Sequence, residues 1–114
     1  MLSLYGGGTL ASVIDWSRLY CYDYEELVVS TSAVGLTSSK LIPSGKNCFL
    51  VMVRLGDGAN GINCRIDGTN PTSSVGIQGD HLWYPLNFNE AEKFKTIRSG
   101  GVDSKVSAAF YAVR

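Results

Sequence analysis

From residue 26 onward, short apolar runs alternate with clusters of Gly, Ser, Asn, Asp and Pro. Residues 26–31 read as a strand, 32–39 as a polar connection, and 40–42 as a short strand stopped by Pro43-Ser44-Gly45. Residues 47–55 give the strongest strand. Its centre, Phe49-Leu50-Val51-Met52-Val53, is apolar on both faces, which predicts a central strand covered on both sides. Residues 56–61 read as a hairpin loop joining it to the next strand. There Ile62, Cys64 and Ile66 alternate with Asn63, Arg65 and Asp67, a half-buried strand with a wet face. A turn cluster follows at 67–72, then short strands at 75–77 and 82–86 on either side of Gly79-Asp80. Residues 89–93 fit one helical turn capped by Asn89, and 94–98 another strand. After a turn at 99–103, the last strand, 104–113, places Val106, Ala108, Phe110 and Ala112 on one face. Strands at roughly ten-residue spacing, with no long amphipathic helix, predict an all-β fold. The expected architecture is a single antiparallel β-sandwich, jelly-roll or immunoglobulin-like, with an extended N-terminal arm.

The first 25 residues have a different texture. Gly6-Gly7-Gly8 precedes a stretch that packs Trp16, Tyr20, Tyr22 and Tyr24 among Asp15, Asp23, Glu25 and Glu26. Tyr20, Tyr22 and Tyr24 are two residues apart, so an extended segment would carry them on one face. That face either packs on its own domain or projects and docks on a neighbouring subunit, a role suited to aromatic side chains with a polar tip. The expected division is an arm over residues 1–25 and a β-sandwich domain over residues 26–114.

Charge narrows the partners. Ten Lys+Arg balance ten Asp+Glu, which argues against a duplex-binding surface and against an acidic tail. A charged fraction of 18% with 13 glycines suits a turn-rich β protein. The N-terminus lacks a basic stretch followed by an apolar one, and no apolar run is long enough to span a bilayer as a helix. Three cysteines, an odd number, argue against a disulfide framework. Cys48 and Cys64 are expected reduced and buried on adjoining strands, in a chain made in a reducing cytoplasm.

Catalytic and metal chemistry find little footing. His81 is the one histidine, set between a turn and a strand with no Gly-x-Ser-x-Gly elbow to serve. Cys48 and Cys64 fall on inferred apolar faces, where a thiolate is disfavoured, and Cys21 stands near acids. There is no Cys-x-x-Cys pair and no second histidine for zinc. Asp57, Asn60 and Asp67 lack calcium-loop spacing. Gly6-Gly7-Gly8-Thr9 is not followed by the Lys-Ser/Thr of a phosphate loop. Lys93, Lys95, Arg98 and Lys105 read as a solvated strand edge that discourages unwanted pairing. The expectation is a protein that is not an enzyme, with no catalytic residues, no cofactor, no metal, no nucleic acid and no small-molecule substrate.

The segment from Cys64 through Arg65-Ile66-Asp67-Gly68-Thr69-Asn70-Pro71-Thr72 to Gly76 is distinctive. It continues with Gly79-Asp80 before a strand, Phe94-Lys95-Thr96-Ile97-Arg98, and a closing strand ending Phe110-Tyr111. This resembles small β-sandwich structural proteins of tailed bacteriophages, over about residues 46–111. The resemblance implies a virion protein of the capsid cement or decoration type, on the capsid surface, whose partners are the major capsid protein and copies of itself. Trp16, Tyr20, Tyr22 and Tyr24 are then the expected partner contacts. A head–tail connector or tail accessory role fits the same resemblance. A carbohydrate-binding module, with Trp83 and Tyr84 as its stacking platform, is the alternative from another class. The motif also has a local reading: Asp67 accepts backbone N–H groups in an Asx turn, Gly68 takes positive φ, Pro71 fixes the exit and Arg65 pairs with Asp67. On that reading Arg65, Asp67, Gly68, Thr69, Pro71, Thr72 and Gly76 form a structural turn.

Overall fold

The computed structural model of the chain describes residues 16–56 and 61–114. After a 3-10 turn at Trp16–Arg18, the first strand, β1, runs Leu19–Val29. One helical turn, α1, follows at Ser38–Leu41, then β2 (Leu50–Leu55), β3 (Ile62–Arg65), β4 (Ile77–Gln78) and β5 (Trp83–Asn87). The helix α2 (Phe88–Lys93) leads into β6 (Lys95–Arg98) and β7 (Ser104–Val113). The described chain is mostly β, in two antiparallel sheets. Four strands are ordered β1-β7-β2-β5, and three are ordered β4-β3-β6.

The alternation in β7 decides how the larger sheet faces. Ser104, Val106, Ala108, Phe110 and Ala112 are buried, while the residues between them are partly or fully exposed. Opposite partners share a face, so Val51 against Phe110 and Val53 against Ala108 bring β2 to the same core. Ile62 and Cys64 of β3 enter it from the smaller sheet, Leu41 and Ala91 from the two helices, and Phe94 from the joint between α2 and β6. Phe94 and Phe110 are almost fully enclosed. Burial of an aromatic side chain of this size contributes about 2–3 kcal/mol.

Several expected elements differ. Residues 40–42 are not a strand; Lys40 and Leu41 belong to α1. The Glu25 carboxylate accepts from the backbone N–H of Thr37 (2.9 Å) and from its hydroxyl (2.6 Å), which fixes the start of that turn, and Leu41 turns into the core. The helical turn near residue 89 begins earlier, and its cap is Asn87 rather than Asn89. Asn87 Oδ1 accepts from Glu90 N (2.8 Å) while Glu90 Oε1 accepts from Asn87 N (3.0 Å), a reciprocal capping box. β2 and β3 are not a hairpin: β2 pairs with β5 and β7, and β3 with β4 and β6. Residues 57–60 of the expected hairpin loop lie outside the described residues. Asn63 is buried rather than wet. Its Nδ2 donates to the Thr72 carbonyl (3.0 Å), and its own carbonyl accepts from Thr96 Oγ1 (3.2 Å).

The N-terminal stretch also changes meaning. β1 runs unbroken across the expected boundary at residue 25 and pairs with β7 from Leu19 opposite Val113 to Val29 opposite Ser104. Leu19 to Glu25 are therefore part of the sheet. Residues 1–15, the remainder of the expected arm, lie outside the described residues.

Candidate interaction surfaces

The four aromatic residues expected to form one docking face are separated. Trp16 contributes its backbone to the opening 3-10 turn, and its side chain lies outside the description. Between Cys21 and Asp23 the register shifts, so Tyr22 is an extra residue on β1. Such a bulge reverses the in-out order beyond it. Tyr20 stands opposite the buried Ala112, whereas Tyr24 stands opposite Ala109 on the outer face, 51% exposed. Tyr22 packs against Phe110 with ring centroids 6.3 Å apart, and its hydroxyl donates to the Lys40 carbonyl at 2.5 Å. Burial pushes that hydroxyl well above the usual tyrosine range, and the neighbouring Cys48 adds to the effect. Lys40 Nζ pairs with Asp23 at 2.9 Å, and this hydrogen bond holds the Asp23 carboxyl below its ordinary range. Lys46 Nζ lies 5.5 Å from the Tyr22 ring centre and the Arg114 guanidinium 4.9 Å from that of Tyr20. Tyr20 and Tyr22 thus bind the domain to itself, and Tyr24 faces out.

The turn after β3 is organised by one carboxylate. Asp67 accepts from Arg65 Nε at 3.1 Å and Nη2 at 2.5 Å, and from the Thr69 backbone N–H at 3.0 Å. The Arg65 guanidinium, then the Thr69 N–H, holds the Asp67 carboxyl far below the usual carboxylate range. Gly68 has φ +88°, a left-handed conformation that glycine adopts without strain. Pro71 is buried. Thr72 exchanges backbone hydrogen bonds with Val75 and accepts the Val75 N–H on Oγ1 at 3.0 Å. Gly76 has φ +148°, and a Cβ there would meet Asn63 Cβ at 3.1 Å, the Cys64 carbonyl at 3.2 Å and Pro71 Cβ at 3.2 Å. Every one of these contacts is internal to the domain.

An apolar cleft adjoins β4. Between β2 and β5 of one sheet and β3 and β4 of the other, an apolar cleft of about 280 Å³ opens, with Leu55, Leu86 and Phe94 in its walls. Cys64 lines it, and burial pushes its thiol up to about 11. Ile77 (53% exposed) and Tyr84 (38%) stand at its mouth; Val75 and Leu82, each two residues earlier in the chain, are exposed as well. Asp80 shapes the approach to β5 by accepting the Tyr84 hydroxyl and, at 3.2 Å, the Leu82 N–H. That pairing lowers the Asp80 carboxyl and raises the Tyr84 hydroxyl. Along β5, Pro85 has no N–H and the Asn87 N–H goes to Glu90, so the strand's free edge offers little to an added strand.

Trp83 and Tyr84 do not make one platform. Trp83 stands opposite Arg54 and Tyr84 opposite Val53, so they project from opposite faces of the sheet. His81 is exposed at φ +51°, its N–H bonded to the Leu55 carbonyl (2.6 Å) and its own carbonyl accepting from Arg54 Nε (3.3 Å). Cys48 and Cys64 are buried and Cys21 is exposed. Among the described residues, no group of three or more His, Cys, Asp or Glu side chains is placed to hold a metal ion, and no helix is long and apolar enough to cross a membrane. Comparison with protein-family models, curated proteins and solved structures finds no match to this chain.

Sequence reasoning missed the cleft mouth at Ile77. Pattern reading assigns Ile77 to a short strand; its exposure follows from β4 being two residues long at a sheet edge.

Proposed function

We propose that the chain is a non-catalytic structural protein of a tailed-bacteriophage virion, of the capsid cement or decoration type, built as a β-sandwich in which the two sheets stack. The observation that carries this reading is the exposed pair Ile77 and Tyr84 at the mouth of an open apolar cleft. Exposed apolar groups gathered at one edge, with polar turns around them, are suited to burial against another protein. The resemblance of the Asp67–Thr72 turn and of the strands after it to phage structural proteins supports the choice of partner. The mechanism is mechanical. A copy seated across a junction of capsid subunits buries surface on each of them, so separating the subunits costs additional free energy.

Quantitative mass spectrometry of purified virions tests the proposal. A copy number that scales with the major capsid protein is expected. A copy number matching a single ring replaces the cement role with a connector role, and absence from the particle overturns the virion reading. Replacing Ile77 and Leu82 with Ser should reduce occupancy on particles at least tenfold while the isolated chain keeps its circular dichroism.

A further inference from the structure

The two sheets are tied together along one flank and open along the other. Val34 and Thr96 of β6 exchange backbone hydrogen bonds at 2.9 Å, and the Arg98 N–H reaches the Ser30 carbonyl at 3.1 Å, so the chain after β1 runs along β6 and covers it. β4 and β5 are the end strands on the other flank, and among the described residues no backbone hydrogen bond joins them. Two side chains show the consequence. Ile77 stands opposite Cys64, and Tyr84 opposite Val53. Opposite partners share a face, and Cys64 and Val53 belong to the core. Ile77 and Tyr84 therefore stand on the core side of their sheets, yet both are exposed at the mouth of the apolar cleft. They lack the close packing that core-facing side chains ordinarily have.

The polar groups around the cleft select what can fill it. Glu90 and Gln78 line it, and among the described residues no Lys or Arg does. The capping box holds the Glu90 carboxylate in place: Oε1 accepts the Asn87 N–H, and Oε2 has no hydrogen-bond partner among the described residues. A carboxylate held in this way, with one oxygen unused, favours a donor that carries positive charge. We propose that the cleft is a binding site for a small amphiphilic amine, its apolar body against Ile66, Ile77 and Tyr84 and its ammonium group hydrogen-bonded to Glu90 Oε2. An amphiphilic anion would meet Glu90 with like charge and find no lining cation to offset it.

Volume sets the size of the apolar body. A cavity of about 150 Å³ holds one benzene ring, so a cleft of about 280 Å³ suits a body of about eight to ten carbons. Seating that body takes water off Ile77 and Tyr84, and the charge-assisted hydrogen bond fixes its orientation. Small-molecule sites commonly combine a mainly apolar lining with a few placed polar groups in this way. The inference goes beyond the virion reading and is tested on the isolated chain, so failure of either leaves the other in place.

Proton–nitrogen correlation NMR of the full chain at neutral pH, titrated to about 3 mM with n-octylamine, 1-octanol or sodium octanoate, tests it. Octylamine should give saturable shifts at the amides of Ile66, Ile77, Gln78 and Tyr84, with a Kd of about 0.1–1 mM. Octanoate should bind at least tenfold more weakly. Glu90→Gln, which keeps the capping box because glutamine also serves at that position, should weaken octylamine at least fivefold and leave octanol within about twofold of the parent. Ile77→Ser, at an exposed position, should weaken octylamine and octanol alike, with circular dichroism reporting that both variants keep the fold. Absence of saturable shifts with octylamine overturns the proposal, and shifts centred away from these amides overturn it by placing the site elsewhere. Octanoate binding as tightly as octylamine, or octylamine binding indifferent to Glu90→Gln, overturns it too, since either removes the role of the carboxylate.

Discussion

Asp67 shows how much one side chain organises when its partners are close in sequence. Two contacts to Arg65 and one to the Thr69 N–H converge on it, and its carboxyl is held below the ordinary range chiefly by the guanidinium. The sign follows from linkage. A carboxyl with a folded pKa below its unfolded value of about 4 contributes stability that is complete above pH 4 and is lost as the pH falls through the folded value. Replacing Asp67 with Asn should therefore lower the urea midpoint at pH 7, and the gap to the parent should shrink on titrating to pH 2.5. A gap of constant size would assign the loss to the turn's hydrogen bonds rather than to charge. The group is exposed, so the effect is expected to be modest and to weaken further in high salt. The Arg65–Asp67–Thr69 turn is legible in the sequence because its partners lie within four residues. The Tyr22 bulge is not. Nothing local marks it, yet it puts Tyr22 against Phe110 and leaves Tyr24 on the opposite face.

Elements were legible where their period had room to show. Ten residues of strict alternation specify β7, down to which side chains reach the core. Lys40-Leu41-Ile42 offers three residues, too few to tell a strand from a helical turn, and Glu25, bonded to Thr37 a dozen residues on, decides the matter. Asn87 with Glu90 and Asn89 with Glu92 both carry the Asn-x-x-Glu spacing, so the sequence does not choose between them, and the fold does. The two positions make a sharp comparison. Asn87→Ala removes the acceptor of the Glu90 N–H and should cost about 1 kcal/mol, a fall in Tm of about 4–8 °C by calorimetry. Asn89→Ala, at an exposed position within α2, should stay within about 0.5 kcal/mol of the parent. Equal losses at both sites would contradict the assignment of the cap.

At the scale of the molecule, the sequence shows the fold class more readily than its connections. Strand spacing indicates an all-β chain, but the partner of each strand depends on the core as a whole. The loop at 56–61 carries the glycines and aspartate of a hairpin, and Ile62 and Cys64 nevertheless complete the core from the second sheet. The cleft was hidden for the same reason: its walls come from β2, β3, β4, β5 and α2, which no sequence window contains. The sulfur atoms give a global readout of this packing. With Cys21 exposed and Cys48 and Cys64 enclosed, Ellman's reagent at pH 8 and low micromolar protein should titrate one thiol per folded chain promptly. All three should react in denaturant. Prompt reaction of a second thiol in the native state would mean that the core opens more readily than its packing implies.

The pairing of β1 with β7 sets a timetable for synthesis. Val29 finds its partner at Ser104 and Leu19 at Val113, so β1 leaves the ribosome long before the strand that completes its ladder exists. At about 5–20 residues per second, the wait lasts on the order of 4–20 s. During that interval Asp23, Glu25 and Glu26 keep the nascent segment charged among its tyrosines, which discourages premature pairing with other chains. The larger sheet thus closes late, when the C-terminal strand inserts between β1 and β2, and chains broken off before residue 104 lack its organising strand altogether.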